Sequence, residues 1–525
     1  MYDNRINRRG FLKGALSAGA AIQAGCAMAP QRAFAGPHPK NNPAAHLNIG
    51  WTRKIKWDHI LDISTVDGPD WHTRLDKAQK SLAAQGGGVV YFPPGKYVFT
   101  DSIAIENGVV LRGADPESTR DAHNSAYTLG THFEFPKYEP SFEGGGTPID
   151  TAFKGIYLRD MAKASNCGLV NIALNRAHVH LGQAEGYKAG SNRIVFGCTL
   201  KNAAVAEPKV PDLSIGQHPW QRFTKWHWAA VSVKVYENAL LANNRLVESD
   251  DSFLVKGYVV KARRKNEGTK EYDVWFDYDF RPGLECNDSC IGAPGGSEPS
   301  GTPETHPWGF RKGIVIRDNY IYSTGRNAIE FAGDGTLCAN NVIRFKKDLW
   351  RQTVKGFRES SGSSTTDTRA VQMRGWRWTV ENNDYEVYRN WASDHKYHIN
   401  DGEGLMHENH CNAAIKDSKL LNNRGNAYLS LYKTGLIDGL IIEGNDIRVD
   451  RGMAIFVESD HDKERKGPCR NVRIVNNTTV GGILIAGTPS SNNLVKGNRN
   501  IGETAPIRKR ANARIVDNTG YELET

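Results

Sequence analysis

The chain has 525 residues, with 67 Lys and Arg against 58 Asp and Glu for a net charge of +9, 39% apolar residues and 53 glycines. That apolar share can fill a core, which excludes a wholly disordered chain, and a mild basic excess interleaved with acids is not a nucleic-acid footprint. A small positive balance is compatible with a polyanionic ligand.

The N-terminus comes first. Asn7-Arg8-Arg9-Gly10-Phe11-Leu12-Lys13 precedes a weakly apolar run from Ala15 to Ala29 and small residues at Ala33-Phe34-Ala35. This pattern resembles a twin-arginine export signal, which implies the twin-arginine translocation machinery as a partner and a periplasmic or secreted destination. The expected division is residues 1–35 as signal peptide and 36–525 as one domain. Beyond the signal no apolar run approaches the length of a membrane span. After Cys26, the odd number and wide spacing of Cys167, Cys198, Cys286, Cys290, Cys338, Cys411 and Cys469 argue against a disulfide framework and for small buried residues. Cys286 and Cys290 are near enough in sequence to bridge in an oxidising compartment.

Residues 36–65 read as an extended leader. From Trp71 to Ala84 the spacing of Leu75, Ala78 and Leu82 predicts a helix that stops at Gly86-Gly87-Gly88. A strand follows over Val89-Val90-Tyr91-Phe92, ended by Pro93-Pro94-Gly95 because proline cannot donate to a ladder. Ile103-Ala104-Ile105 and Gly108-Val109-Val110-Leu111-Arg112-Gly113 continue the β pattern. A helix, then Gly-Gly-Gly-Val-Val-Tyr-Phe-Pro-Pro-Gly-Lys-Tyr, then Val-Val-Leu-Arg-Gly resembles the N-terminal cap and first coils of pectate-lyase-like right-handed parallel β-helix proteins. The resemblance spans about 45 residues. It implies the fold and leaves the activity open, since that superfamily holds lyases, glycosidases, epimerases and phage tailspikes.

Further along, short β segments recur. Leu405, Tyr428, Ile455 and Ile483 follow one another at 23, 27 and 28 residues, a period that means stacked repeats. Between copies lie Asn422-Asn423, Gly444-Asn445 and Asn476-Asn477. Asparagine tolerates the left-handed backbone of a sharp corner, and its side chains can bond to one another coil after coil. Earlier coils are expected at 168–172, 193–196, 231–233 and 313–316. Long excursions are expected at about 205–228 (with Trp226 and Trp228), 258–311 and 346–374. The predicted fold is all-β: a single-stranded right-handed parallel β-helix with an N-terminal helical cap and long loop excursions.

Setting Phe253-Leu254-Val255-Lys256 and Ala328-Ile329-Glu330-Phe331 against the later copies gathers ionisable residues at comparable strand ends. They are Lys256, Glu330 with Asp334, His407 with Glu408 and His410, Lys433, and Glu458 with Asp460 and His461; the last copy, ending at Ala486-Gly487-Thr488, has none. A line of charge in mid-stack is what a cleft across several coils would leave. The densest group is Asn400-Asp401-Gly402-Glu403-Gly404-Leu405-Met406-His407-Glu408. Lys256, Glu330, Glu403, His407, Glu408 and Lys433 are the candidate catalytic residues, and Trp226, Trp228, Arg326, Glu458 and His461 the candidate substrate contacts. Asp401 and the adjacent Asp250 and Asp251 offer the hard oxygen ligands that suit calcium.

Elimination from a uronate needs a base for the proton α to the carboxylate and a cation or metal to neutralise that carboxylate. Hydrolysis needs two carboxylates at a set spacing, for which Glu408 and Glu458, two coils apart, are one option. The expected function is cleavage of an acidic polysaccharide by an exported enzyme, by β-elimination in preference to hydrolysis. A β-helical glycoside hydrolase and a non-catalytic polysaccharide-binding solenoid are the alternatives.

Overall fold

Short strands separated by sharp corners wind this chain into a parallel β-helix. The computed structural model describes residues 40–135, 164–175, 177–181, 190–201, 229–233, 237–247, 312–323, 327–345, 369–386, 414–432, 434–460 and 466–524, with strand backbone at 157–160, 260–265, 271–276, 289–293 and 406–408. All belong to one compact unit, Pro37–Thr525.

Each coil visits three sheets in turn, here called A, B and C. Sheet A includes Gly88–Phe92, Val109–Gly113, Cys167–Val170 and later strands to Ala513–Val516, each paired in parallel with the strand one coil on. Sheet B starts at Gly95–Val98 and Thr131–Glu134, and sheet C at Ile103–Ile105 and Tyr157–Asp160. Inward residues from all three fill one continuous core, for example Ile329, Val371, Leu429, Ile455 and Ile483 along sheet C, all fully buried.

From Asn243-Asn244 onward the corner from A to B is two residues long and nearly invariant. Its first residue is left-handed, as at Asn382 (φ 54°), Asn422 (φ 53°), Gly444 (φ 69°) and Asn476 (φ 56°). Its second is a buried asparagine. Asn244, Asn319, Asn341, Asn383, Asn423, Asn445, Asn477, Asn498 and Asn518 form an unbroken ladder in which each Nδ2 donates to the next Oδ1 at 2.8–3.1 Å. The same oxygen accepts the previous asparagine's backbone N–H, so both polar ends of each amide are satisfied inside the solenoid. The expected stacking is therefore present, on a corner that has no room for insertions.

At the N-terminal end the predicted helix α1 spans Trp71–Ala84, with Asp70 as N-cap accepting from Thr73 N. Its buried Gln79 donates to Ala104 O (2.9 Å) and accepts from Glu106 N (3.1 Å), which ties the helix to the edge of the first coil. The helix thus closes an edge that would otherwise invite pairing with another chain. Residues 40–65 differ from an extended leader. They form short 3-10 turns at Ala45–Leu47, Gly50–Lys54 and Ile63–Thr65, plus a strand, Ile60–Asp62, paired with sheet A. Trp51, Ile55 and Trp57 pack on the outer side of sheet A against Val110, Val170, Ile194 and Leu240. An apolar outer face there needs a cover, and the chain supplies it locally.

Cys167, Cys198, Cys338 and Cys469 are free and buried. Burial pushes the Cys198 and Cys469 thiols up to about 12 and raises that of Cys338 as well. In the native protein these four are expected to resist a thiol-alkylating reagent at mildly alkaline pH and to react once the chain is unfolded. Mass mapping of the labelled peptides checks this; labelling of any of the four at the rate of a free thiol would contradict their burial. Cys286, Cys411 and the Cys290 side chain lie outside the described residues, and with them the expected Cys286–Cys290 bridge. Among the described residues no helix is long and apolar enough to cross a membrane.

Candidate active site

Sheet C differs from the A–B corner in the chain lengths at its edges. Between a B strand and the following C strand the chain runs from Lys201 to Ala229, Val247 to Ser289, Phe345 to Arg369 and Glu386 to Met406. On its other edge, Ala293 to Lys312 is similarly long. Insertions therefore collect on both sides of sheet C and are excluded from the tight asparagine corner. Long connections are where functional residues concentrate, which makes this sheet the candidate floor of a site.

The outward positions of that sheet fall into one row. Arg159, His180, Ser232, Gly292, Glu330, Gln372, His407 and Ser430 are successive register partners, followed by Phe456, Leu484 and Arg508. The described residues flanking Glu330, Gln372 and Ser430 are in the core: Ile329 and Phe331, Val371 and Met373, Leu429 and Leu431. Polar residue types run from Arg159 to Ser430, interrupted only by Gly292, and give way to apolar ones at Phe456. Rungs lie about 4.8 Å apart, so the Glu330 and His407 backbones are roughly 10 Å apart with Gln372 between them. Glu330, Gln372 and Ser430 are 4%, 3% and 3% exposed, deeply buried for polar groups on the outer side of a sheet. Gly292, opposite Glu330, puts no side chain on the adjoining rung.

Two of the sequence-derived candidates, Glu330 and His407, thus share this row. Lys256, Glu403, Lys433, Trp226, Trp228, Arg326, His461, Asp401, Asp250 and Asp251 lie outside the described residues. The register departs from the sequence alignment in three places. The strand opposite Ala328–Phe331 is Ser289–Ala293, in the place assigned to Phe253–Lys256 and inside the supposed second excursion. Glu408 is in register with Leu431 and Val457, both core residues, and not with Glu458. Glu458 is half-buried and pairs with Tyr432 and Ala486, one position further along the strand. The two carboxylates considered for hydrolysis therefore occupy different rows.

Neighbouring acids have structural partners. Asp334, 7% exposed, receives both Nε and Nη2 of Arg377, whose own backbone is left-handed (φ 52°) at a corner where later coils have Asp417, Gly439 and Asn471. Asp460 accepts from Gly467 N (2.9 Å) and Thr488 N (3.0 Å) and has Lys466 Nζ at 3.6 Å. Among the described residues no group of three or more His, Cys, Asp or Glu is placed to hold a metal ion. Arg159, His180, Ser232, Gln372 and Ser430 went unnoticed in the sequence; the signal that finds the last four is their position one residue after a core aliphatic, Val179, Val231, Val371 and Leu429.

No protein-family model matches the chain, and no curated protein matches it. Solved structures similar to it include the A-module of a mannuronan C-5 epimerase from Azotobacter vinelandii, 11% identical over 88% of this chain and 97% of that one, with a TM-score of 0.38. A surface protein and adhesin of Streptococcus pneumoniae is 11% identical over 88% of this chain and 98% of its own (TM-score 0.37). An Escherichia coli bacteriophage tailspike mutant, solved in complex with a pentasaccharide, is 7% identical over 88% and 64% (TM-score 0.36). At these TM-scores the likeness assigns no role to any residue.

Proposed function

We propose that this protein is an exported enzyme that cleaves an acidic, uronate-containing polysaccharide by β-elimination, with the outward row of sheet C as its working surface. The observation that carries the reading is that row: a carboxyl, an amide, an imidazole and a hydroxyl in register over four consecutive coils at Glu330, Gln372, His407 and Ser430. The insertions of the chain collect at the edges of the same sheet. A polymer lying along the solenoid axis meets one such group about every 4.8 Å.

In this reading His407 takes the proton from the carbon α to the uronate carboxylate. The electron pair forms the new carbon–carbon double bond as the glycosidic carbon–oxygen bond breaks, and the departing oxygen gains a proton. Gln372 donates to the uronate carboxylate, Lys256, Lys433 and Arg326 are the proposed cations against its charge, and Glu330 in its acid form is the proposed donor of the proton that the departing oxygen gains. Calcium held by Asp250, Asp251 or Asp401 would serve the same end. Elimination is favoured over hydrolysis because Glu330 is the only carboxyl residue in the polar part of the row, whereas glycoside hydrolysis takes two facing carboxylates. Export follows from the Arg8-Arg9 motif, with the translocation machinery as partner.

The test is a panel of uronate and neutral polysaccharides, read for ultraviolet absorbance of unsaturated products and for new reducing ends. Absorbance with a uronate polymer is expected. Reducing ends without absorbance would replace elimination by hydrolysis, and no product from any polymer would leave a binding solenoid.

A further inference from the structure

Sheet A carries a second polar surface, remote in register from the row on sheet C. In its last coils the outward column runs Lys419, Ile441, Arg473, Leu494, Arg514, each paired with the next. The neighbouring column runs Glu443, Val475, Lys496, Val516. Lys419, Arg473, Lys496 and Arg514 are all exposed, and none forms an ion pair with another described residue. From the strand and rung spacings, Lys496 sits about 8 Å from both Arg473 and Arg514, which are roughly 10 Å from each other. Like charges so close on one sheet face oppose folding. The acids of this face, Glu381 and Glu443, stop before Arg473, and the positions between the last three cations are aliphatic.

We propose that this stripe is a non-catalytic binding site for an acidic polysaccharide lying along the solenoid axis. Arg473 and Arg514 recur at every second rung and would meet carboxylates of an extended polyanion, with Lys496 between them on the flank. Leu494 and Val516, both half-buried, present aliphatic surface to the apolar faces of sugar rings. Stacked nucleobases would call for aromatic side chains, and these columns have none. The site shares with the proposed function only its class of ligand.

The test is affinity electrophoresis of the full chain through gels containing polygalacturonate, dextran or duplex DNA. It compares the parent with the triple variant Arg473→Gln, Lys496→Gln, Arg514→Gln. The parent is expected to be retarded by polygalacturonate and not by dextran, with about tenfold or greater weakening in the triple variant and a shallower salt dependence. Equal retardation of parent and variant would overturn the proposal, as would retardation by dextran or tighter binding of DNA. The binding curve stands whether or not any polymer is cleaved, which separates failure here from failure of the proposed activity.

Discussion

Replacing Glu330 by Gln is expected to lower turnover of a uronate polymer by about 10²–10⁴-fold while leaving the fold intact. The side chain keeps its size at a site that is 4% exposed, and the core residues beside it, Ile329 and Phe331, are untouched. His407→Ala should show a loss of the same order, because His407 occupies the same row two rungs away. Glu458→Gln is expected to leave turnover of the same order as the parent, since that residue lies in register with Tyr432 and Ala486. The measurement is initial rate by product absorbance, with circular dichroism as the check on folding. Equal losses at Glu330 and Glu458, or none at Glu330, would remove the row from the mechanism.

The largest stability effect is expected at the asparagine ladder. Asn445 Oδ1 accepts both Asn423 N (2.9 Å) and Asn423 Nδ2 (3.0 Å), and its own Nδ2 donates to Leu420 O (3.0 Å) and Asn477 Oδ1 (2.9 Å). Asn445→Ala strands two buried donors on Asn423, each costing about 1–3 kcal/mol, so a loss of about 3–5 kcal/mol is expected. The adjoining corner gives the contrast. Asn422 is exposed and left-handed, and the equivalent corner one coil on already has Gly444. Asn422→Gly should therefore cost less than about 1 kcal/mol. Because a repeat array need not unfold in one step, the denaturant midpoint should be read beside hydrogen exchange in the flanking coils. Similar effects at the two positions would mean that backbone conformation, and not the amide ladder, holds the corner.

These two cases also mark what could be read from the sequence. The helix from Trp71 to Ala84 was legible because its apolar spacing and its glycine stop agree. The corners were legible because left-handed backbone and amide stacking select asparagine at a fixed place between short apolar runs. Register was harder. From Ala427 to Leu431 every residue is buried, the inward ones in the core and Ser430 on the outer face, so no alternation of polar and apolar residues shows which are which. The alignment accordingly matched Tyr428 to Ile455, whereas the strand pairs Leu429 with Ile455. One residue of slip moves a side chain to the other face, which is how Glu408 came to be aligned with Glu458. The strand Ser289–Ala293 was missed for a related reason: with Ser289, Cys290, Gly292 and Ala293, it is built almost wholly from small residues and carries no β-branched run.

The row itself was legible only in part. Glu330 and His407 stand out as charged or titratable, but Gln372, Ser430 and Gly292 look ordinary until the pairing places them between and beside those two. A working surface on a solenoid is assembled from one residue per coil, some 23 to 42 positions apart from Glu330 to Ser430, so its members share no local motif.

The most direct test of the account is the fate of solvent oxygen during cleavage of a uronate polymer. In water enriched in heavy oxygen, elimination breaks the glycosidic bond without adding water, so mass spectra of the products should show unsaturated ends and no label incorporated by bond cleavage, once exchange at reducing ends is suppressed by prompt reduction. Saturated products that gain one labelled oxygen per cleaved bond would contradict elimination on this row.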